Sequence, residues 1–321
     1  MKAIIYTTYG SPDVLQFTDV EKPTPKAGEV LVKIMATAVN QADIHVLSGM
    51  LRYSTGVFKP KQPILGSDIA GIVEAVGENV TQFQVGDEVF GDLSGHGRGG
   101  FAEYVAAPAS ALALKPAALS FAQVAAVPMT ALTALQGLRD RGNIQAGQQV
   151  LINGASGGVG SFAVQIAKAY GAEVTAVVST GKIELVRTIG ADHIIDYTQE
   201  NFTQNGQCYD LIFDTVANHS VSDFKRALTP NGIFVTCAFL PALLILGPWL
   251  SMTGNQKMKN MLAKANQADL ILLADLLKAN KIIPVVDRCY PLSETSKALR
   301  YVKEGHAQGK VIIIWKRFGS A

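Results

Sequence analysis

The chain has 321 residues, of which 48% are hydrophobic and 17% charged, and its formal net charge is +2. This composition excludes an intrinsically disordered protein, and the length suits two ordinary domains or one large domain with an insertion. The near balance of charge gives no argument for a nucleic-acid-binding surface, so we expect no nucleic-acid partner.

Short β-rich segments dominate the first third of the chain. The opening Met1–Tyr6 lacks the apolar core of a signal peptide. The three cysteines (Cys208, Cys237 and Cys289) form no CxxC pair, which suits a reducing compartment, so we expect a cytoplasmic protein. Turns rich in Gly and Asp separate the β-rich runs, a spacing typical of a compact β-barrel-type domain. The predicted strands are Lys2–Tyr6, Glu29–Ala38, Ile69–Val76, Glu88–Phe90 and Ala102–Ala106.

From Ser120 onwards the pattern changes to alternating helices and strands. Helical spacing runs through Phe121–Arg139, and strands and helices then follow in turn. Strands that are separated by helices predict right-handed crossovers and a doubly wound parallel sheet. The predicted strands are Val150–Asn153, Glu173–Val178, His193–Ile195, Leu211–Asp214 and Gly232–Ala238, and the predicted helices include Val159–Tyr170 and Lys182–Ile189.

The most apolar stretch of the chain is Ile233–Leu250. It is long enough for a membrane span, but Pro241, Gly247 and Pro248 interrupt it. A buried strand followed by an apolar loop or short helix is therefore favoured, and peripheral membrane contact stays open as an alternative.

The C-terminal segment departs from the alternating pattern. After a helix at Leu270–Ala279 it contains two strands, Ile282–Asp287 and Lys310–Trp315. Neither continues the strand–helix alternation. We therefore expect this segment to return to the first domain.

A glycine-rich turn directly follows the strand Val150–Asn153 and opens a helix. Such a turn binds the pyrophosphate of a dinucleotide through backbone N–H groups at the helix N-terminus. Gly157 and Gly158 would let the pyrophosphate approach, and Gly160 would let the helix pack closely on the strand. The strand–turn–helix context makes a turn without a ligand the less favoured interpretation. The predicted cofactor contacts here are Ala155, Ser156, Gly157, Gly158, Val159 and Gly160.

The end of the second strand bears on the choice between NADH and NADPH. NAD sites place an Asp or Glu there, whereas this chain has Ser179, Thr180 and Lys182. Hydroxyls and an ammonium suit a 2′-phosphate, so we predict that the cofactor is NADPH. The alternative for Lys182 is a solvated lysine in the first turn of the helix.

Segments along nearly the whole chain resemble, in their order and spacing, the medium-chain dehydrogenase/reductase superfamily. Besides the glycine turn they are Gly28–Lys33, Ala38–Asp43, Pro63–Gly71, Val85–Val89, Gly99–Tyr104, Pro128–Ala134, Gly190–Tyr197 and Gly305–Lys310. The resemblance implies an α/β protein with a GroES-like β-barrel-type catalytic domain at residues 1–119 and 268–321. It also implies a Rossmann NADPH-binding domain at residues 120–267, an active site in the cleft between the domains, and a homodimer.

Zinc-dependent members of that superfamily carry a Cys near Asn40 and a Gly-His-Glu where this chain has Gly66-Ser67-Asp68. The four-cysteine lobe that would follow Gly91 is also absent. Because zinc needs converging thiolate or imidazole ligands, we predict that no metal is bound, and we interpret His45 and His96 as surface or loop residues. With these departures the chain resembles the zeta-crystallin-like quinone oxidoreductase branch. The closing Gly305–Lys310 segment and the apolar run after Gly232 are similar to the mitochondrial reticulon-interacting and chloroplast-envelope members of that branch.

The resemblance implies three candidates for catalysis. Asn40 is expected near the nicotinamide, where its amide would orient the carboxamide or the substrate oxygen; the alternative is a turn residue that bonds nearby backbone. Asp43 would order the same loop. Tyr53 would polarise the substrate or donate a proton, against the alternative of packing in a surface loop.

Further cofactor contacts are expected from the resemblance and from positions at strand ends. Thr130 and Thr133 open the linker helix, where they would contact the nicotinamide half or bond back to the helix. Tyr197 would reach the adenosine end. Cys237 and Phe239 end the fifth strand of the predicted parallel sheet, at the carboxyl edge where ligands bind in such sheets, or they belong to the core. Lys310, which ends the closing segment, completes the set.

The predicted activity is zinc-independent hydride transfer from NADPH to a small electrophilic substrate, namely a quinone, an enone or an enal. One alternative is an enoyl-thioester reductase, in which Arg52, Lys59 and Lys61 would hold the phosphopantetheine or CoA arm. Another is a structural or regulatory protein that binds NADPH without turnover.

Overall fold

The computed structural model describes residues 1–238, 240, 243 and 255–315. The chain divides into two compact units. The first consists of Met1–Met129, Ala265–Lys278 and Pro284–Ala321, and the second of Thr130–Lys264 and Ala279–Ile283. The N-terminal segment of the first unit thus ends at Met129 rather than at residue 119, because the helix Phe121–Ala125 packs against strands of that unit.

Strands and helices alternate with short turns along the described residues. The strands are β1 (Lys2–Ile5), β2 (Gln16–Asp19), β3 (Glu29–Val39), β4 (Asp68–Val76), β5 (Glu88–Asp92), β6 (Tyr104–Pro108), β7 (Leu112–Leu114), β8 (Gln149–Asn153), β9 (Glu173–Val178), β10 (His193–Asp196), β11 (Tyr209–Asp214), β12 (Leu228–Thr236), β13 (Lys257–Asn260), β14 (Val286–Pro291) and β15 (Lys310–Ile314). The helices are α1 (Gln41–Leu47), α2 (Arg52–Thr55), α3 (Phe121–Ala125), α4 (Pro128–Gln136), α5 (Gly158–Ala169), α6 (Ile183–Thr188), α7 (Val221–Arg226), α8 (Gln267–Lys278) and α9 (Thr295–Lys303).

The first unit is built on a seven-stranded sheet in the order β14-β15-β3-β4-β5-β7, with β6 pairing with β3. Except for the parallel pair β14 and β15, its neighbouring strands are antiparallel. The long strand β3 is mostly buried and is the centre of the sheet. Because β15 pairs with the end of β3, the last strand brings Lys310 close to Val39 and Asn40.

The second unit contains a six-stranded parallel sheet in the order β10-β9-β8-β11-β12-β13. This is the strand order of a Rossmann dinucleotide-binding sheet, and the direction of winding changes between β8 and β11. Strands β8, β9 and β11 are buried along most of their length, as expected for a sheet that is covered on both faces. The ends of β8 and β11 lie where such folds bind their ligands.

Two differences from the prediction concern a helix at the boundary of the first unit and a strand of the second unit. The predicted helix Phe121–Arg139 is divided into α3 and α4, and it ends in a π-helical turn at Gly137–Arg141. The break falls at Pro128, which lacks an N–H and disfavours helical geometry in the residue before it. The strand β13 was not predicted, because Lys-Met-Lys-Asn has neither an apolar run nor regular alternation.

The tail differs in one boundary. The strand predicted at Ile282–Asp287 is β14 (Val286–Pro291), and residues Ala279–Ile283 belong to the second unit instead. Phe239 and most of the apolar stretch Ile233–Leu250 lie outside the described residues. In the part of the chain that is described, no helix has both the length and the apolar character to cross a bilayer.

Candidate functional site

The glycine turn after β8 has the geometry that a dinucleotide-binding turn requires. Gly154 has a φ of +82°, a conformation that favours glycine. A Cβ atom on Gly160 would lie 2.1 Å from the carbonyl oxygen of Gly154 and 2.7 Å from Cα of Ala155. Glycine at position 160 is therefore needed for the close packing of α5 against the end of β8.

Gly157 serves a different purpose in the same turn. It caps α5, and the nearest atom to a Cβ built there would be the Gly154 oxygen at 3.5 Å, an ordinary contact. No side chain caps this helix start, so its first-turn N–H groups and the positive end of the helix dipole can receive an anion. The turn from Ala155 to Gly160 fits a pyrophosphate, with Ala155 and Ser156 buried beneath it.

The carboxyl ends of β9 and β10 bring Ser179, Thr180, Lys182 and Tyr197 to one edge of the sheet. The Tyr197 N–H donates to the Val178 oxygen at 2.9 Å, and its side chain is exposed.

Asp196 lies at the same edge and was missed by the sequence reasoning. The Thr180 hydroxyl donates to Asp196 Oδ2 at 2.5 Å, and Thr198 Oγ1 also lies 3.1 Å from Thr180 Oγ1. The bond from Thr180 is the main cause that lowers the pKa of Asp196. Strand β9 ends without an acidic residue, but its neighbour β10 supplies one, because Asp196 pairs with Val178 at the end of β9.

Polar residues at three neighbouring strand ends form a second group that the sequence reasoning missed. Asn153 Nδ2 donates to Asp214 Oδ1 at 2.8 Å, and the Thr236 hydroxyl donates to Asp214 Oδ2 at 2.7 Å. The Asp214 carboxylate also accepts from the N–H groups of Val216 and Ala217. These bonds shape the loop after β11. The available signal was a polar residue at the end of β8, β11 and β12.

Cys237 directly follows β12. Its N–H donates to the backbone carbonyl oxygen of Asp214 at 3.1 Å. Burial raises the pKa of the Cys237 thiol to about 12, so the thiol stays protonated near neutral pH. Cys237 and Phe239 were both predicted at the carboxyl edge of the sheet. Cys237 lies there, directly after the end of β12, whereas Phe239 is outside the described residues.

In the first unit, Asn40 lies in a buried polar group with Asp68 and Lys310, which we call the Asn40 cluster. Asn40 is 5% exposed, Asp68 0% and Lys310 3%. Asn40 Nδ2 donates to Asp68 Oδ2 at 2.9 Å, and Lys310 Nζ donates to Asn40 Oδ1 at 2.5 Å. Lys310 Nζ also donates to the Val39 oxygen and to Asp68 Oδ2, each at 3.2 Å.

Asp43 orders the loop that carries Asn40, as the sequence predicts. Its carboxylate accepts from the N–H of Asn40 at 2.9 Å and from the N–H of Gly66 at 3.2 Å. Burial raises the pKa of Asp43 to about 6, although both N–H groups act in the opposite direction. Asp43 thus holds the start of α1 against the segment before β4.

Asp92 lies directly across the sheet from Asp68, in the paired strands β4 and β5. Burial and then the charge of Asp68 raise the pKa of Asp92 to about 7. The Ser94 N–H, which donates to Asp92 Oδ1 at 2.7 Å, and the ammonium of Lys310 partly oppose this shift. Two carboxyl groups therefore share the field of one buried ammonium.

The remaining predicted residues do not join the Asn40 cluster. Tyr53 is 88% exposed on α2, within an exposed apolar group that also contains Met50, Leu51, Val57 and Phe58. Thr130 and Thr133 are buried on α4. The catalytic role predicted for Tyr53 and the cofactor contacts of the two threonines stay predictions.

Lys310 was predicted to contact the cofactor. In the structure its three ammonium protons correspond to three protein acceptors, in Val39, Asn40 and Asp68. The signal for this arrangement was a charged residue that opens an otherwise apolar strand, but its partners could not be read from the sequence.

The donor atoms around Asn40 do not fit a zinc ion. Both ends of the Asn40 amide are already bonded, and Ser67 offers a hydroxyl rather than an imidazole or thiolate. Within the described residues, no group of three or more His, Cys, Asp or Glu side chains could hold a metal.

Comparisons with known proteins identify the family to which the chain belongs. Residues 26–117 match a family model described as alcohol dehydrogenase GroES-like domain, and residues 189–313 match one described as zinc-binding dehydrogenase. A 2-methylene-furan-3-one reductase from Solanum lycopersicum is 37% identical over 98% of this chain and 79% of its own length. An NADPH-dependent alkenal/one oxidoreductase from Arabidopsis thaliana is 35% identical over the same shares of both chains.

The structural comparison extends over the same length. A quinone oxidoreductase from Coxiella burnetii superposes with a TM-score of 0.88 at 28% identity, over 98% of this chain and 99% of its own. The chain belongs to the medium-chain dehydrogenase/reductase superfamily and is related there to quinone oxidoreductase homologues and alkenal reductases.

Proposed function

We propose that the protein is an NADPH-dependent reductase of α,β-unsaturated carbonyl compounds or quinones. The observation that carries the proposal is the Asn40 cluster, a buried and fully oriented hydrogen-bond donor without metal-ligand chemistry. A reduction that places negative charge on a carbonyl oxygen needs such a donor. The names of the tomato and Arabidopsis relatives support the same class of substrate.

The chemistry requires little covalent participation of the protein. The nicotinamide, when bound, supplies a hydride. For an enone, hydride addition to the β-carbon moves the C=C electron pair toward the carbonyl oxygen, and a proton from water then binds the α-carbon. In this scheme Asn40 donates to the developing oxyanion, and Asp43 holds the loop that carries it.

The choice of NADPH over NADH is part of the proposal. It is supported by the absence of an acid at the end of β9, by the ammonium of Lys182 and by the name of the Arabidopsis relative. Asp196 acts against it, because its carboxylate lies beside the Thr180 hydroxyl and repels a 2′-phosphate. We therefore propose a moderate preference rather than an absolute one.

A spectrophotometric assay of NADPH oxidation tests the function. The acceptors are 1,4-benzoquinone and longer quinones, 2-alkenals, enones and enoyl-CoA, with a reaction lacking acceptor as the control. Turnover of quinones, enones or enals is expected. Turnover of enoyl-CoA alone would instead favour an enoyl-thioester reductase, for which the basic residues Arg52, Lys59 and Lys61 are the supporting feature.

A binding measurement distinguishes the proposed enzyme from the non-enzymatic alternative. Titration of the protein with NADPH, followed by nucleotide fluorescence, gives the affinity independently of turnover. Tight binding with no turnover on any acceptor would refute the proposed function and favour a structural or regulatory protein. The homodimer and the cytoplasmic location expected from the sequence stay proposals, which light scattering and fractionation of cells test.

A further inference from the structure

The Asn40 amide has one allowed orientation in its surroundings. A lysine ammonium can only donate hydrogen bonds, and an ionised carboxylate can only accept them. Rotation of the amide by half a turn would place its NH₂ group against Lys310 and its oxygen against Asp68. The side chain is therefore held with Oδ1 toward Lys310 and Nδ2 toward Asp68.

One donor of Asn40 is left over after these contacts. Nδ2 carries two protons, and among the described residues one of them is bonded, to Asp68 Oδ2. The ammonium bonded to Oδ1 withdraws electron density from the amide, which strengthens its N–H groups as donors. The cluster thus presents a polarised N–H that has a fixed direction before any ligand binds.

Lys310 and Asp68 are themselves fully engaged. Lys310 Nζ has three protons and three protein acceptors. Asp68 Oδ1 accepts from the Met129 N–H at 2.8 Å, and Oδ2 accepts from both Asn40 and Lys310. Neither side chain has a donor to spare for substrate, so each acts through Asn40.

We propose that Lys310 and Asp68 are positioning residues that hold Asn40 as the hydrogen-bond donor to the carbonyl oxygen of the substrate. The inference rests on the proposed function and adds two residues whose side chains need not touch the substrate. It replaces the cofactor contact that the sequence predicted for Lys310. Because the donor acts on charge that develops during reduction, its loss lowers kcat more than it raises KM.

A double-mutant cycle tests this dependence. Asn40→Ala and Lys310→Met are each expected to lower kcat by about 10²-fold, the usual effect of losing one oxyanion donor. NADPH affinity should stay unchanged in both. If Lys310 acts through Asn40, the double variant is no slower than Asn40→Ala alone. Losses that multiply in the double variant would overturn the proposal.

Lys115→Met is the matched control. Lys115 is also a buried lysine of the first unit, with a side chain 4% exposed and an ion pair to Glu88 at 2.8 Å. Because it has no bond to Asn40, its effect on kcat should be small and should multiply with that of Asn40→Ala. Equal non-additivity for Lys115→Met would show that the cycle reports general destabilisation, and would also overturn the proposal.

If Lys310→Met unfolds because Asp68 is left without its cation, the charge-neutral pair Lys310→Met with Asp68→Asn takes its place in the cycle. A wild-type protein that reduces no acceptor would refute the proposed function together with this inference. An active wild type with multiplying losses would refute the inference alone.

Discussion

The Asp92 carboxyl is buried opposite Asp68, and Lys310 is the cation that acts on both. Burial and the charge of Asp68 raise the pKa of Asp92 to about 7, against 3.8 for a free carboxyl. Between these two values the folded protein binds a proton that the unfolded chain has released. The free energy of unfolding therefore falls as the pH rises from about 4 to about 7.

Asp92→Asn should remove this dependence. The variant is expected to be more stable relative to wild type at pH 8 than at pH 5, by an amount on the order of 3 kcal/mol. Thermal or urea unfolding of both proteins at the two pH values measures the difference. Glu21→Gln, at an exposed position, is the control and should show no such change. Equal stability differences at pH 5 and pH 8 would contradict the prediction.

Substitutions of Asp196 and Lys182 should change the preference for NADPH over NADH in opposite directions. Asp196→Asn removes a negative charge beside the Thr180 hydroxyl and should raise the NADPH-to-NADH ratio of kcat/KM several-fold. Lys182→Ala should lower that ratio by about tenfold while leaving NADH kinetics nearly unchanged. Steady-state kinetics with both nucleotides provide the test, and added salt should reduce both effects. A ratio unaffected by either substitution would show that the 2′-phosphate binds elsewhere.

At the scale of the element, the turn between β8 and α5 contains glycines that differ in the space around them. Gly160 is required for packing, since a Cβ there would lie 2.1 Å from the Gly154 oxygen. Gly157 has room for a Cβ in the protein alone. We propose that it is a glycine because a bound nucleotide needs that space.

The two alanine variants should therefore fail in different ways. Gly160→Ala is expected to lower the free energy of unfolding by about 1–3 kcal/mol, because backbone must shift. The free energy of unfolding of Gly157→Ala should lie within about 0.5 kcal/mol of the wild-type value, but this variant should bind NADPH about tenfold more weakly. Gly95→Ala, where a Cβ meets no atom within 4 Å, is the control for both measurements. Full NADPH affinity in Gly157→Ala would exclude this turn as the pyrophosphate site.

Local patterns sufficed to predict most of the strands, the glycine turn and the parallel sheet, because these follow from neighbours in the sequence. The division of Phe121–Arg139 was in principle visible in Pro128. The polar strand β13 was not, because it forms by pairing with β12 rather than from its own pattern. The Asn40 cluster and the Thr180–Asp196 bond depend on which strands pair, which the sequence alone does not specify.

At the scale of the whole molecule, the described residues place no imidazole or thiolate where zinc enzymes of this superfamily bind metal. The Asn40 cluster offers an amide, a carboxylate and an ammonium at that position, and the ammonium would repel a cation. We expect that dialysis against a chelator leaves NADPH oxidation unchanged. Elemental analysis should find zinc well below one atom per chain. Stoichiometric zinc, or a loss of activity that added zinc restores, would contradict this expectation.

Asn40 and Lys310 are separated by 270 positions in the chain, although they share a hydrogen bond. During translation, the continuous segment Thr130–Lys264 of the second unit leaves the ribosome before β15 has been made. Until then, the end of β3 lacks its neighbouring strand, and the buried Asp68 lacks its cation. A nascent chain that stalls before Lys310 therefore holds a complete nucleotide turn beside a half-built first unit with an open sheet edge, a species prone to aggregation and suited to capture by chaperones.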